Sequence, residues 1–478
     1  MSITKGSNVT GVKLLRPAAG GKAIAKLEQQ VIIVHDGVVG DIADIEITAV
    51  KGNYLEANIV KLQNPSDTRT EPRCQHYEQC GGCQLQHTQY PYQLDYKQEV
   101  LNDTLQRIGT NRLPNVKHII SAENTFYYRN KLSFSFSNNC WQVQKRKARS
   151  DYIAGIGFHL ANAPEQVLNI EQCYLQSPLS NQITDDVRAY AHTHKLSCYD
   201  FIKNRGLLRN LVIRQNRNGE LMLIFQVSYD GEVLNGLLEH LLLNFSEVAS
   251  LYYVVNTDRN DNFLSLPLVH YSGSAKLQDS LGKLNYEISP KAFYQTNPEQ
   301  TERLYKQVES YAAITPSDTV YDLYCGTGTI GLWLAHAARK VIGIEQNPDA
   351  IKDAQHNAVL NHIENAEFYA GKAETRVNDV FIKANGTPDV VVVDPPRAGL
   401  DKALIQQLNS LKPSRLIYVS CEPASFARDL KLLSDAFEVS EITAVDMFPQ
   451  TYHIEAVAKL TPLKKKRAVV KKKRSLKY

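Results

Sequence analysis

The sequence lacks any apolar run of the length that crosses a membrane, which is about 18 residues or more. Its first residues also lack the apolar core of a secretory signal peptide. Both absences predict a soluble, cytoplasmic protein without a membrane partner. No internal repeat is evident, and at 478 residues the chain is long enough for about three domains.

Acidic residues are absent from the last 18 positions, whereas nine Lys and Arg residues lie there. The whole chain has 54 basic and 50 acidic residues, so the part before this tail is mildly acidic. Affinity for nucleic acid must therefore come from local patches and from the tail. We expect the tail, residues 461–478, to be disordered and to bind phosphates without sequence preference.

Disulfides are not expected in a cytosolic chain, although eight cysteines are present. Cys74, Cys80 and Cys83 lie within ten residues, around a Gly-Gly pair. Thiolates on such a loop can face one metal centre, with a fourth ligand from elsewhere. Cys173 is the first candidate for that ligand and Cys140 the second. The spacing suits zinc as well as an iron–sulfur cluster and does not choose between them.

Residues 1–63 contain short strand-like runs separated by Gly, Asp and Asn turns. About five short strands in about 60 residues predict a small β-barrel of the oligonucleotide-binding kind. The segments Gly20–Ala25 and Gly37–Asp41 resemble the TRAM domain, a small RNA-binding barrel.

Residues 64–268 are predicted to form a central, mostly antiparallel α+β domain. A helix is expected over 92–108. It packs either within the central domain or, as the alternative, on the catalytic domain. Tyr127–Lys131 mixes aromatic and basic side chains, as a stacking surface for unpaired bases does. An ordinary half-buried strand is the other interpretation of that segment.

Residues 269–460 alternate between strand-like and helical runs, which predicts a doubly wound α/β sheet. The run Thr319–Glu345 has the order strand, tight turn with Gly326 and Gly328, helix, strand. An acid about 20 residues after such a turn, here Glu345, can hold a ribose diol. Asp322 at the turn would repel a pyrophosphate but suits a cationic ligand. The unit predicts an S-adenosylmethionine site, in which Asp322 shapes the glycine turn.

Asp394 and Cys421 also end predicted strands, so they should lie at the same edge of the sheet. A soft thiolate at Cys421 can add to carbon 6 of uracil, which turns carbon 5 into a nucleophile. A base must later remove the carbon 5 proton. Glu455 is the candidate base, and Asp394 is the alternative. These residues favour methylation of uracil carbon 5.

Residues 321–331, 394–399, 419–423 and 448–455, with the cysteine cluster, resemble the RNA 5-methyluridine methyltransferase family (the RlmD/TrmA group). The resemblance covers nearly the whole chain and implies a class I S-adenosylmethionine-dependent methyltransferase domain with a central iron–sulfur, RNA-binding domain. It implies nucleophile Cys421 and base Glu455. The implied S-adenosylmethionine contacts are Gln295, Tyr324, Glu345 and Asp394, and the implied ligands of a 4Fe-4S cluster are Cys74, Cys80, Cys83 and Cys173.

The barrel and the four cysteines resemble the 23S ribosomal RNA enzymes more than the transfer RNA enzyme, which lacks both. The T-loop uridine of tRNA is the alternative substrate, and no obligate protein partner is predicted. Glu422 departs from the family pattern, in which Asn is common after the nucleophile. The departure affects the expected fine shape of the pocket and not the expected chemistry. The basic tail also extends beyond the part of the chain that resembles the family.

Two other functions are compatible with parts of the sequence. An amino-group methyltransferase would use Asp394-Pro-Pro to hold an amine, but would not need Cys421 or Glu455. A non-catalytic RNA-binding or chaperone protein would use the barrel, the cysteines and the tail. The intact ligand and nucleophile motifs argue against it.

Overall fold

The computed structural model describes residues 3–464 apart from 111, 139, 142–154, 162 and 164. Nearly all of the predicted basic tail, residues 465–478, lies outside the described residues, and so does the side chain of Cys140. Among the described helices, none has the length and apolar character needed to span a membrane.

The N-terminal segment is a closed β-barrel, which confirms the prediction for this part of the chain. Its strands follow the order β1-β2-β3-β5-β4, and β3 and β5 are parallel. Their inward side chains, such as Leu14, Ile32 and Ile45, are fully buried. The strands are β1 (Asn8–Ala18), β2 (Lys22–Leu27), β3 (Gln30–His35), β4 (Ile42–Val50) and β5 (Tyr54–Asn64).

The segment after the barrel contains the cysteine loop (residues 74–85), helix α1 (Tyr90–Arg107) and strand β6 (Ile119–Ile120). Leu101 and Leu105 of α1 are buried in the same apolar core as the C-terminal sheet. Tyr96 of α1 also accepts a hydrogen bond from the backbone N–H of Gly21. Helix α1 thus contacts both the barrel and the C-terminal domain.

The central sheet has the strand order β14-β13-β12-β11-β7-β9-β10-β8 and is mostly antiparallel. The pairs β12–β13 and β8–β10 are parallel. Strand β14 ends at Gly273, so this sheet extends past the boundary expected at 268. Its elements are β7 (Lys131–Ser137), β8 (Cys140–Trp141), β9 (Gly155–His159), β10 (Val167–Asn169), α2 (Pro178–Thr193), β11 (Leu208–Gln215), β12 (Leu221–Val227), α3 (Glu232–Asn244), β13 (Val248–Val255) and β14 (Val269–Gly273).

The C-terminal part opens with a β-hairpin and helix α4. Asn297 caps α4 by accepting a hydrogen bond from the N–H of Gln300, and Pro298 occupies the first turn. The elements are β15 (Leu277–Leu281), β16 (Leu284–Ile288), α4 (Pro298–Ala312), β17 (Thr319–Leu323), α5 (Thr329–Leu334), a 3-10 turn (Ala335–Ala337), β18 (Lys340–Glu345), α6 (Pro348–Leu360), β19 (Ala366–Ala370), α7 (Ala373–Arg376), α8 (Asp379–Asn385), β20 (Val390–Val393), α9 (Lys402–Leu411), β21 (Arg415–Ser420), α10 (Pro423–Leu433), β22 (Phe437–Val445) and β23 (Glu455–Pro462).

The C-terminal sheet has the order β19-β18-β17-β20-β21-β23-β22-β6. Strands β17 to β21 are parallel, and β23 is antiparallel to both of its neighbours. The valines of β20 are fully buried, as expected for a parallel strand covered by helices on both faces. This arrangement confirms the predicted doubly wound sheet, and β6 adds an edge strand from the region before the central sheet.

Candidate active site

The carboxyl ends of the parallel strands collect the predicted site residues at one edge. Asp322 lies in β17 and Glu345 ends β18. Asp394 directly follows β20, and Cys421 directly follows β21. Because these strands are parallel neighbours, the four side chains come from one rim of the sheet.

The turn after β17 has a backbone that favours glycine. Gly326 and Gly328 have φ of 54° and 78°. A Cβ at Gly328 would stand 2.8 Å from the ring of Phe368 and 3.0 Å from Ala354. The turn therefore packs directly on β19 and α6, and a side chain at position 328 cannot be accommodated without movement.

Glu345 accepts a hydrogen bond from this turn, whereas Asp322 accepts one from the helix that follows it. The Oε2 atom of Glu345 accepts a hydrogen bond from the N–H of Gly326 at 3.3 Å, and Oε1 accepts from Asn347 at 2.8 Å. Asp322 was expected to shape the glycine turn itself. Instead its Oδ2 accepts from the N–H of Gly331 at 2.8 Å, within helix α5.

The rim is rich in carboxyl groups whose ionised forms are disfavoured. Burial, with the nearby charges of Asp394 and Glu345, raises the pKa of Asp322 to about 8. Burial also raises the pKa of Asp394 to about 7. The buried Oδ1 of Asp322 has no hydrogen-bond partner among the described residues. A cationic ligand at this rim would offset the mutual repulsion of these acids.

A cavity of about 510 Å³ opens beside the rim and contacts Tyr324, Ile344, Glu374 and Leu400. Tyr324 has φ of 64°, which turns the chain sharply at the end of β17. The volume lies in the range of small-molecule sites. Residues of the loops after β17, β18 and β20 line this cavity, but Asp322, Glu345 and Asp394 do not.

Cys421 and Glu455 come from adjacent antiparallel strands. Ser420, the last residue of β21, pairs with Ala456, so Cys421 directly after it lies beside Glu455 at the start of β23. Burial and the charges of Glu455 and Asp394 raise the pKa of Cys421 to about 12, while Arg397 opposes this shift. Burial and Asp394 hold the pKa of Glu455 well above its usual range. The thiol and the two carboxyl groups therefore act on one another within one site.

Gln295 lies where the C-terminal domain meets the central sheet. Its carbonyl oxygen accepts a hydrogen bond from the side chain of Asn130 at 3.0 Å. Two residues earlier, the carbonyl of Phe293 accepts from the hydroxyl of Thr327 in the glycine turn, at 3.5 Å. The segment that carries Gln295 thus runs between the turn and the central domain.

The structure brings Cys74, Cys80, Cys83 and Cys173 to one cavity of about 330 Å³. Burial raises the pKa of Cys80 to about 12 and that of Cys173 to about 11. The pKa values of the other two thiols are raised as well, again mainly by burial. Among the described residues, no three His, Cys, Asp or Glu side chains are grouped closely enough to hold a single metal ion.

The prediction of an exposed stacking surface over Tyr127–Lys131 is wrong for Tyr128 and Lys131, neither of which is fully exposed. Tyr128 is 6% exposed, and its hydroxyl donates to the carbonyl of Pro449 at 2.9 Å. Burial lowers the pKa of Lys131 to about 8. Only Tyr127 presents an exposed ring, because residues 128–131 turn into the sheet.

Three aromatic rings instead surround the exposed side chain of Arg73, which sequence reasoning missed; Tyr127 is exposed, and Phe126 and Tyr174 are half-buried. The guanidinium carbon lies 4.5 Å from the ring centre of Tyr174, 5.0 Å from that of Tyr127 and 5.1 Å from that of Phe126. We call these four residues the Arg73 cluster. It is next to the cysteine cavity, because Tyr174 follows Cys173 and Arg73 precedes Cys74. Only the three-dimensional fold brings these segments together.

Comparisons with known proteins agree with this geometry. Residues 274–462 match the family described as tRNA (uracil-5-)-methyltransferase, and residues 8–60 match the TRAM domain. An RNA methyltransferase of Bacteroides thetaiotaomicron is 42% identical over 450 residues, which cover 93% of this chain and 99% of the relative. An RNA methyltransferase of Porphyromonas gingivalis is 37% identical, with 93% and 98% covered.

The chain belongs to the tRNA (uracil-5-)-methyltransferase family of RNA methyltransferases. The solved structure of the Pyrococcus abyssi tRNA (uracil-54, C5)-methyltransferase, in complex with S-adenosyl-L-homocysteine, has a similar architecture to this chain. The TM-score is 0.73 at 28% identity, and the match covers 94% of this chain and 100% of that one. An S-adenosylmethionine-dependent methyltransferase fold is therefore shown.

Two further residues of this methyltransferase contribute to the site without having been singled out from the sequence. The charge of Arg397 acts on Cys421, Glu455 and His453. Burial and Arg397 lower the pKa of His453 to about 4, so its ring stays neutral at physiological pH. In the sequence, Arg397 lies close to Asp394 and His453 lies close to Glu455, and this proximity could have identified them as site residues.

Proposed function

We propose that this methyltransferase transfers a methyl group from S-adenosylmethionine to carbon 5 of a uridine in 23S ribosomal RNA. One observation carries the proposal: a cysteine and a glutamate stand on adjacent antiparallel strands, at the rim that bears Asp322, Glu345 and Asp394. An amino-group methyltransferase would have no use for that pair.

The charge of the rim suits the cofactor. Glu345 would hold the ribose hydroxyls, with the backbone of Gly326 close by and with Tyr324 beside the cavity. Gln295 and Asp394 would complete the cofactor site from the other side. S-adenosylmethionine supplies the methyl group and a positive sulfonium, which favours ionised carboxylates and thiolates nearby.

Cys421 begins the reaction as a thiolate. Its sulfur adds to carbon 6 of the uracil, and the electron pair of the carbon 5–carbon 6 bond moves towards oxygen 4. Carbon 5 then has the character of an enolate and accepts the methyl group. The raised pKa of Cys421 means that ionisation must be assisted, and Arg397 is the cation of the chain that acts in that direction.

Glu455 completes the reaction by taking the proton from carbon 5. The carbon–hydrogen electron pair restores the carbon 5–carbon 6 double bond, and the carbon–sulfur pair returns to Cys421 as thiolate. Burial suits Glu455 to this role, because a carboxylate with a raised pKa is a stronger base. Asp394 is the alternative base, but it lies between a buried strand and two prolines and is better suited to orienting a ligand.

The four cysteines line one cavity, and they would hold the 4Fe-4S cluster that the family resemblance implies. Arg129 and Lys131 on the same cavity would offset the negative charge of the cluster. Uracil methylation moves no net electrons, so the cluster would order the cysteine loop and the RNA-binding surface rather than transfer electrons.

The RNA substrate would lie across the Arg73 cluster. The exposed ring of Tyr127, beside the guanidinium of Arg73 and two half-buried rings, would be a platform for an unpaired base. The TRAM barrel adds a second RNA-binding unit. The basic tail would contribute contacts to phosphates that do not depend on sequence.

Transfer RNA is the second candidate substrate, favoured by the Pyrococcus abyssi enzyme. That enzyme aligns with 94% of this chain, so the match extends over the barrel and the cysteine loop as well as the catalytic domain. A similar overall architecture is therefore found in an enzyme that acts on transfer RNA. Mapping 5-methyluridine in both RNAs from a deletion strain separates the two: the lost position identifies the substrate.

The chemistry is tested with variants at Cys421 and Glu455. We expect Cys421→Ala to form neither covalent complex nor methylated RNA. Glu455→Gln should permit addition and methyl transfer but block elimination, so a methylated RNA–protein adduct should survive denaturing electrophoresis. RNA containing 5-fluorouridine, which has no proton at carbon 5, should trap the unaltered enzyme in the same way.

Three results would contradict this function. Methylation by Cys421→Ala would favour the amino-group methyltransferase. Failure of the purified protein to bind S-adenosylmethionine would favour a non-catalytic RNA-binding protein. Free turnover by Glu455→Gln, together with adduct formation by Asp394→Asn, would transfer the base role to Asp394.

A further inference from the structure

The connection between β22 and β23 carries Glu455 at its end. We call residues 446–454 the base loop. Val445 pairs with Glu455 across its two ends, so Glu455 is the first strand residue after the loop. Gln450, in the middle, has φ of 70°, a backbone conformation that disfavours non-glycine residues. Such a conformation persists where the surrounding contacts impose it.

The contacts of Gln450 come from the cysteine loop and from helix α1. Its carbonyl oxygen accepts hydrogen bonds from the N–H groups of Gln84 and Leu85, both at 3.0 Å. These two residues directly follow Cys83 in the chain. A residue of the base loop is therefore bonded to the backbone that continues the cysteine cluster.

Gln93 of helix α1 closes the same contact through a reciprocal pair of hydrogen bonds. Its Nε2 donates to Oε1 of Gln450 at 3.0 Å, and its Oε1 accepts from the Gln450 N–H at 3.0 Å. The same Nε2 also donates to the carbonyl of Leu85 at 3.0 Å. Gln93 is 1% exposed and Gln450 is 4% exposed, so water does not compete for these bonds.

The start of the base loop is held by a buried ion pair. Lys97 of α1 contacts Asp446 at 2.5 Å and donates to the carbonyl of Phe448 at 3.0 Å. Tyr90 donates to Asp446 at 2.8 Å. Residues from the region before the central sheet therefore hold the base loop at its start and at its middle. Cys421, in contrast, directly follows β21 and is positioned by the pairing of β21 with β20 and β23.

We propose that Gln450 is a positioning residue for the elimination step, and that through it the cysteine loop holds Glu455 in place. The inference rests on the proposed function of Glu455 as the base. It gives the cysteine loop a part in methylation that requires no electron transfer. In the step concerned, Glu455 takes the proton from carbon 5, and the electron pair of the broken carbon–hydrogen bond forms the carbon 5–carbon 6 double bond. The sulfur of Cys421 leaves with the carbon–sulfur pair as thiolate.

Selective slowing of elimination is the expected signature. Gln93→Ala and Gln450→Ala should lower the rate of adduct breakdown about tenfold, because misplacement of a base affects the step in which it acts. Formation of the adduct with 5-fluorouridine RNA should stay within about twofold of the unaltered rate, since it does not need the base. Single-turnover kinetics with both RNAs measures the two rates.

Matched variants separate this role from a loss of folding. Gln98→Ala changes a half-buried glutamine on the same helix, whose side chain donates to the carbonyl of Lys117 rather than to the base loop, and should leave both rates unchanged. Gln450→Asn tolerates the positive φ but is too short for Gln93, so it should also accumulate adduct. Equal slowing of formation and breakdown in the Gln93 and Gln450 variants would overturn the proposal.

A second readout does not depend on activity. Cys83→Ala should accelerate amide hydrogen exchange in residues 446–455 more than in 319–345, because Gln84 and Leu85 would hold Gln450 less firmly. Unchanged exchange in 446–455 would overturn the link to the cysteine loop. If Glu455→Gln accumulates adduct but the Gln93 and Gln450 variants do not, the base assignment stands and the positioning role fails. If Glu455→Gln turns over freely, the assignment of Glu455 as the base and the positioning role of Gln450 both fail.

Discussion

The carboxyl group of Glu455 raises the pKa of the Cys421 thiol from the neighbouring antiparallel strand. Burial is the larger cause, and Asp394 acts in the same direction. At neutral pH these causes favour the thiol form of Cys421 over the thiolate. A cation bound at the rim would shift the balance towards thiolate.

This relationship predicts the pH dependence of Cys421 alkylation. With a pKa raised to about 12, the thiolate fraction should still be rising at pH 10. The rate of carboxamidomethylation by iodoacetamide, followed on the Cys421 peptide by mass spectrometry, should therefore show no plateau below that pH. Arg397→Ala should slow the reaction further, because Arg397 favours the thiolate. A plateau near pH 8 would contradict the raised pKa.

The charge of the cofactor can be isolated with two analogues in the same alkylation assay. Sinefungin carries a positive amine where the sulfonium stands, whereas S-adenosylhomocysteine has a neutral sulfur. If both leave Cys421 accessible, sinefungin should give the faster alkylation at pH 8. Equal rates with the two analogues would show that the cation does not act on the thiol.

Glu345 should control affinity for the cofactor. A charge-assisted contact to a ribose diol is worth on the order of 2 kcal/mol, so Glu345→Ala should weaken binding at least about tenfold. Affinity for RNA should remain nearly unchanged. Asp349→Ala is the matched control, because Asp349 is an exposed acid at the start of α6 that pairs with Lys352. Calorimetry giving equal affinity for both variants would remove Glu345 from the site.

Gly328 should be intolerant of a methyl group. Gly328→Ala adds left-handed backbone strain and an overlap with Phe368, so we expect a loss of about 2–4 kcal/mol in the free energy of unfolding. At Gly6, φ is 86° but no atom lies within 4 Å of the added Cβ. Gly6→Ala should therefore cost only about 1 kcal/mol. Denaturant unfolding that gives equal losses would show that the overlap is relieved.

The cysteine cavity should bind iron. Protein purified without oxygen should be brown, contain iron and sulfide, and lose both in Cys80→Ala. Cys198→Ala is the control, since Cys198 is buried in the central domain but does not line that cavity. Stoichiometric zinc without iron would exclude the cluster.

The Arg73 cluster should contribute to RNA affinity. Tyr127→Ala removes an exposed ring and should weaken RNA binding by about 1–3 kcal/mol, the usual value for a stacked base. Tyr229→Ala is the control, because Tyr229 is also exposed on the central domain but lies outside the cluster. The cofactor affinity of both variants should equal that of the unaltered protein. An unchanged RNA affinity in Tyr127→Ala would place the RNA elsewhere.

The sequence by itself determined the features that depend on near neighbours in the chain. The βαβ unit around Gly326 was predictable, because periodicity, glycine and a terminal acid all act within about 25 residues. The barrel was predictable for the same reason, since short alternating strands and their turns are local. Strand ends in a parallel sheet also share one edge, which brought Asp394 and Cys421 to the rim.

Only the tertiary structure decided which side chains face water and which distant segments meet. Tyr128 and Lys131 have the composition of an RNA-binding surface, but Tyr128 is buried and Lys131 is half-buried beside the cysteine cavity. Arg73 acquires its aromatic neighbours from segments about 50 and 100 residues away. Lys97 and Asp446 are ordinary charged residues in the sequence, and they become a buried pair because α1 packs beside the base loop. Burial and long-range hydrogen bonds depend on the whole fold, and no local pattern encodes them.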